Sequence, residues 1–153
     1  MAEIMFYHLE HKPWEQVLPA QLSKALERSW RCVVQIGSEE RVEEVSELLW
    51  KNETDIFLIH GTKADGMAEK QPIWLTAETD NPNNATVRFF IEGAVVGDVS
   101  GLTRAAILFD GRDETAVSAV RADWKRLKAE GYEISYWQQD ENYRWQNKSK
   151  AGD

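Results

Sequence analysis

Residues 31–50 read RCVVQIGSEERVEEVSELLW, and they decide the fold. Arg31–Ile36 is a continuous β-branched and apolar run, the mark of a strand buried on both faces. Gly37 turns the chain, Ser38 is a good N-cap, and Glu39–Trp50 reads as a helix packed through Val42, Val45, Leu48 and Leu49. Before this unit, Glu3–Leu9 (EIMFYHL) reads as a strand. Pro13 then opens a helix to about Ser29, with Leu18, Leu22, Ala25 and Leu26 inward. Pro19 should bend its first turns or delay its start. After the unit, Asp55–His60 (DIFLIH) reads as a third strand. Strand, helix, strand, helix, strand is the signature of right-handed βαβ units. The expected class is therefore α/β: three layers, α/β/α, around a mostly parallel, Rossmann-like sheet.

The rest of the chain extends this frame. Gly61–Gln71 is a polar, mobile loop, Pro72–Thr76 is short and strand-like, and Asp80–Asn84 (DNPNN) is a turn. Thr86–Ile91 and Arg104–Phe109 are further strand candidates, short enough to form antiparallel pairs on the sheet edge. A helix over 113–131 and a strand over Tyr132–Gln138 follow. Residues 1–146 make a single domain, and 147–153 should fray.

Bulk properties exclude several classes. The net charge of −8 argues against phosphate-driven contact with nucleic acid, so no direct nucleic-acid partner is expected. Hydrophobic residues make up 42% of the chain at a mean hydropathy of −0.53, and no run approaches the ~18 apolar residues of a membrane span. The opening MAEIMFYHLEH lacks a basic segment before an apolar one, so it does not read as a signal peptide. Cys32 is alone, which fits a reducing cytoplasm and a buried thiol. Seven tryptophans raise the expectation of a binding surface without locating it.

Catalytic signals are sparse. A doubly wound sheet holds nucleotides on glycine-rich turns at the carboxyl ends of its strands. Here HLEHKPW (8–14) has no glycine, and IGSEER (36–41) has one, followed by Glu39 and Glu40, which repel phosphate. No nucleotide site, cofactor or metal site is expected. His8 and His11 lack a completing ligand set, and His60 reads as a strand-end residue bonded to backbone. One rival reading remains: a small nucleotide-handling enzyme using His8, His60 and Asp110 at the carboxyl edge of the sheet.

The 113–131 helix, DETAVSAVRADWKRLKAEG, carries the binding signal. Asp113 and Glu114 suit its N-terminus and Gly131 its stop. Ala116, Val117, Val120, Trp124 and Leu127 form one face, and Arg121, Lys125 and Lys128 form a stripe beside it. Residues 121–128 hold four cations against Asp123, in an acidic chain. One reading is a solvated flank beside a core tryptophan. The other is a socket for an acidic peptide with an apolar anchor, Trp124 lining a notch and Arg121 and Lys125 holding carboxylates. A generic acidic-peptide module is the broader form of that second reading.

Several segments in order resemble the chi subunit of bacterial DNA polymerase III holoenzyme. They are FYHL (6–9), GSEERVEEVSELLW (37–50), DIFLIHGT (55–62), QPIWLT (71–76), LFDG (108–111) and RADWKRLKAEGYEISYWQQ (121–139). The resemblance implies a nucleotide-binding look without a nucleotide, and a non-catalytic accessory subunit of the clamp-loader assembly. It implies two partners: the psi subunit or an equivalent, and the acidic C-terminal tail of single-stranded-DNA-binding protein. Arg121, Trp124 and Lys125, with Lys128 beside them, match positions that receive the tail. Trp50 and Phe57 match the surface that meets psi or a competing helicase. The chain departs from the family pattern at Ile59, where many members have proline, and at Asp110, where some have an apolar pocket residue.

Overall fold

The computed structural model describes residues 2–52 and 57–149. Among these residues, seven strands form one sheet in the order β3-β2-β4-β5-β1-β6-β7. They are β1 (Glu3–Leu9), β2 (Cys32–Ile36), β3 (Ile73–Thr76), β4 (Val87–Ile91), β5 (Arg104–Asp110), β6 (Glu133–Gln139) and β7 (Trp145–Asn147). Every pairing is parallel except β6 with β7. The helices are α1 (Trp14–Glu27), α2 (Val42–Trp50) and α3 (Glu114–Ala129).

Alternation along the strands divides the core in two. Met5, Tyr7 and Leu9 of β1 face one layer with Leu18 and Leu22 of α1 and Val45 and Leu49 of α2. Ile4 and Phe6 face the other, with Val120 and Leu127 of α3. β2 is buried at all five positions, as its composition demands. The α/β class and the three-layer, mostly parallel sheet with an antiparallel edge are therefore as expected.

Four local expectations are corrected. Val87–Ile91 and Arg104–Asp110 are central parallel strands, β4 and β5, not an antiparallel edge. The loop between them crosses the α3 face, where Val96 and Val99 are buried in place of a helix. The antiparallel edge is instead β7, whose Asn147 pairs with Trp137. The third strand, Asp55–His60, begins outside the described residues, and Phe57–His60 form no ladder. Only Gly61 bridges Trp74, with Gly61 N–H donating to the Ile73 carbonyl at 3.0 Å. Leu58 and His60 turn inward while Phe57 and Ile59 face solvent, the alternation of an extended edge. Ser38 makes no side-chain cap, and a 3₁₀ turn over Glu39–Arg41 precedes α2, with Arg41 bound through Nε and Nη2 to the Glu92 carboxylate. Pro19 does not delay α1, which starts at Trp14, and it is buried.

The loop over 61–71 is tied down at several points. The Thr62 N–H donates to Asp65 at 2.9 Å, and Gln71 Nε2 donates to the Gly66 carbonyl at 3.2 Å. Where the second face of β2 and β4 has no helix, polar groups close it. Arg88 is buried and donates to Gln35 Oε1 (2.9 Å) and to the carbonyls of Asp80 (2.7 Å) and Glu78 (2.8 Å).

Candidate functional site

α3 is built as its sequence dictates. The Asp113 carboxylate accepts from the N–H groups of Thr115 (3.0 Å) and Ala116 (3.3 Å), an N-cap that satisfies two free donors. Gly131, at φ 91°, ends the helix in a left-handed conformation that an L side chain would strain, and its N–H returns to the Lys128 carbonyl. Val120 and Leu127 seat the helix on the sheet. Trp124 is half-buried between Phe6 and Tyr136, at centroid distances of 5.8 and 6.0 Å.

Arg121, Lys125 and Lys128 are all exposed along one stripe beside Trp124. None has a carboxylate at ion-pair distance among the described residues. Arg126, the fourth cation of the stretch, is differently placed. It reaches Asp123 and Glu130 at 3.6 Å each and donates to the Val96 carbonyl at 2.8 Å, so it belongs to the fold. Arg121 faces Tyr136. Burial pushes that phenol's pKa up, and the Arg121 charge opposes the rise. The Tyr136 hydroxyl meets His8 Nδ1 at 2.5 Å, and His8 Nε2 meets Glu10 at 2.7 Å. Neither His8 nor Tyr136 figures in the expected tail site; their placement on adjacent strands needed the β1–β6 register to be seen.

The larger clefts lie elsewhere. One of about 640 Å³ opens at the carboxyl ends of β4 and β5, between the N-termini of α1 and α3. Another of about 230 Å³ lies under α1, and one of about 160 Å³ beside Arg88. Arg121, Trp124, Lys125 and Lys128 line none of them, so the notch expected beside Trp124 is not among these cavities. What α3 offers is a charged helix face flanking a half-buried indole.

Trp50 and Phe57 do come together. Their centroids are 5.8 Å apart, Trp50 is 49% and Phe57 75% exposed, and Ile59 beside them is 50% exposed. Trp50 also stacks on His60 at 4.1 Å. Together Trp50 and Phe57 form an exposed aromatic patch at the end of α2.

The three residues of the rival enzyme reading are not assembled. Leu9 and Asp110 are register partners, so His8 and Asp110 lie near each other at the carboxyl ends of two central strands. His60 lies at the far edge, beyond β3, and is buried. Its Nδ1 meets the Leu58 carbonyl at 2.8 Å and its Nε2 the Ser46 hydroxyl at 3.0 Å. Burial lowers its pKa, because desolvation disfavours the charged ring. Asp110 is exposed and accepts from the Arg112 N–H at 2.9 Å.

Residues 1–135 match the model of the DNA polymerase III chi subunit family, HolC. The chain belongs to this family. Members are non-catalytic accessory subunits of DNA polymerase III. The chain is also similar to the probable DNA polymerase III subunit chi of Rickettsia prowazekii (strain Madrid E), at 29% identity over 91 residues. That match covers 60% of this chain and 55% of the relative, so it spans little more than half of that protein's length. The chi family match includes α3, Trp50 and Phe57 and ends at Ser135, one residue before Tyr136. Among the described residues, no helix is long and apolar enough to cross a membrane.

Proposed function

We propose that this chi-family chain is a cytoplasmic tether between the clamp-loader assembly and DNA coated with single-stranded-DNA-binding protein. In this reading α3 receives that protein's acidic C-terminal tail, with Arg121, Lys125 and Lys128 holding carboxylates and Trp124 supplying the apolar contact. Trp50 and Phe57 dock a psi subunit or its equivalent. DNA is reached through the tail, without direct contact.

The observation that carries the reading is the row of three exposed cations beside the Trp124 indole, none paired to a carboxylate among the described residues. Unpaired cations keep their full donor capacity for an incoming anion. A terminal phenylalanine ring contributes about 1.5–3 kcal/mol on burial, and each charge-assisted bond about 1.5–3 kcal/mol. Ordering the tail and losing translational freedom cost several kcal/mol, which leaves an affinity of about 1 μM. Many tails on one coated strand then raise the effective concentration.

Fluorescence anisotropy with a labelled acidic peptide ending in phenylalanine tests this. Micromolar binding that weakens with salt and is lost when the peptide's carboxylates are replaced by amides supports it. No binding at tens of micromolar, or equal binding of the amide form, would remove α3 as a tail receptor.

A further inference from the structure

We propose that the cavity between the second half of α1 and the sheet binds a small aromatic anion, a single flat ring carrying one carboxylate or phosphate. The cavity measures about 230 Å³ and lies on the opposite face of the sheet from α3. Lys24, Arg28 and Arg104 line it, and among the described residues no acidic one does, in a chain of net charge −8. Three of the seven tryptophans, Trp30, Trp137 and Trp145, line it too.

The cations have spare capacity. Lys24 and Arg28 stand one turn apart near the end of α1, both exposed, with no carboxylate at ion-pair distance among the described residues. Arg104 starts β5 and reaches Glu3 at 3.4 Å through Nη2, yet its Nε is buried without a hydrogen-bond partner. The guanidinium groups of Arg28 and Arg104 both lie over the Trp30 ring, at 4.9 and 5.2 Å, which holds two positive charges at one wall. Tyr7, which also lines the cavity, is buried, and its hydroxyl donates to Met5 Sδ at 3.6 Å. That phenol, pushed up to about 12 mainly by burial, remains a donor at neutral pH.

Aromatic walls favour a flat ring, and the cations favour an anionic substituent. The volume is below the ~300–1,000 Å³ of sites for larger ligands, which suits one ring. A nucleic-acid strand would set many phosphates against an acidic surface, whereas one anionic group meets only this basic wall. Trp137 and Trp145 lie beyond the residues matched by the chi family, so the cavity depends on a part of this chain outside that match.

Ligand-observed NMR titration of the full chain with phenyl phosphate and with N-acetylphenylalanine tests the site. Either probe should bind with a Kd of about 1 mM or tighter, and the tighter of the two assigns the anion's source as phosphate or carboxylate. Lys24→Glu with Arg28→Glu, both at exposed positions, should keep the melting temperature and weaken binding about tenfold or more. Trp145→Ala should weaken it as well, inorganic phosphate alone should bind about tenfold more weakly, and Arg121→Ala should have no effect. The proposal is overturned if neither probe binds by about 10 mM, or if binding survives the charge reversal. It is also overturned if phosphate alone binds equally well, or if Arg121→Ala weakens binding as much as the charge reversal does.

Discussion

Arg121→Ala is the sharpest perturbation of the tether. The side chain is exposed and, among the described residues, has no carboxylate at ion-pair distance; its electrostatic neighbour is the Tyr136 phenol. Alanine is the best helix former, so the folded state should keep its stability to within about 0.5 kcal/mol. What is lost is one charge-assisted contact to the peptide. A fully desolvated one would contribute about 1.5–3 kcal/mol and a fully exposed one about 0.2–1 kcal/mol. Arg121 stands between these limits, open to water on one side and against Tyr136 and the half-buried Trp124 on the other. A loss near 1.4 kcal/mol, about tenfold in Kd, is expected. Anisotropy titrations in rising salt should give a shallower slope for the variant, because one screened contact is gone. The same substitution removes the charge that restrains the Tyr136 pKa, so that phenol should titrate at still higher pH in an ultraviolet difference titration. An unchanged Kd with an unchanged melting temperature would show that Arg121 is not part of a tail site.

Trp50→Ala and Phe57→Ala should leave peptide affinity within about twofold while abolishing capture of psi or an equivalent clamp-loader component in a pulldown; joint loss of both activities would refute separate surfaces. His60 has a folded pKa lowered by burial, so its contribution to stability is complete above the unfolded value of about 6.5. That contribution is lost as pH falls through 6.5 toward the folded pKa. Denaturant melts of wild type should therefore weaken below about pH 6.5, and His60→Gln should weaken less over the same window. Arg88→Ala strips partners from Gln35 and from the Asp80 and Glu78 carbonyls and should cost about 3 kcal/mol, read as a lower urea midpoint; a cost under about 1 kcal/mol would mean that water replaces the guanidinium without penalty.

The parts of the fold that were legible are those in which hydrophobic period and chain connectivity say the same thing. β2 is apolar throughout because both faces are covered, and α1 and α2 follow from their apolar stripes. β4 and β5 were misplaced because the connections around them contain no helix, the usual sign of a parallel crossover. Loops perform those crossovers instead. Asn83 Nδ2 donates to the Cys32 and Gln71 carbonyls and holds the first, and Val96 and Val99 seat the second. A short run such as Trp145–Asn147 carries too little alternation to announce a strand; it becomes one only because the Asp140–Arg144 turn returns it to β6. At the candidate site, the stripe of cations could be read from spacing alone. Which cations were free could not, since Arg126 is sequestered by a carbonyl thirty residues away in the chain.

The placement of the two candidate surfaces bears on how a tether would work. Trp50 and Phe57 sit at the β3 end of the sheet, whereas α3 lies against β5 and β6 on the other face. β3 lies three strand spacings from β5 and five from β6, about 14–24 Å at ~4.8 Å per spacing. That is beyond the ~8 Å screening length at physiological salt, so the charges of α3 cannot sense an aromatic partner docked on α2. Nor is there a shared element: α2 packs on β3, and α3 packs on β5 and β6. Two partners engaged this way would bind additively, and the strength of the bridge would come from simultaneous occupancy, with no need for one contact to improve the other. A tail affinity that changed on adding the second partner would require a coupling path that neither the distance nor the packing supplies.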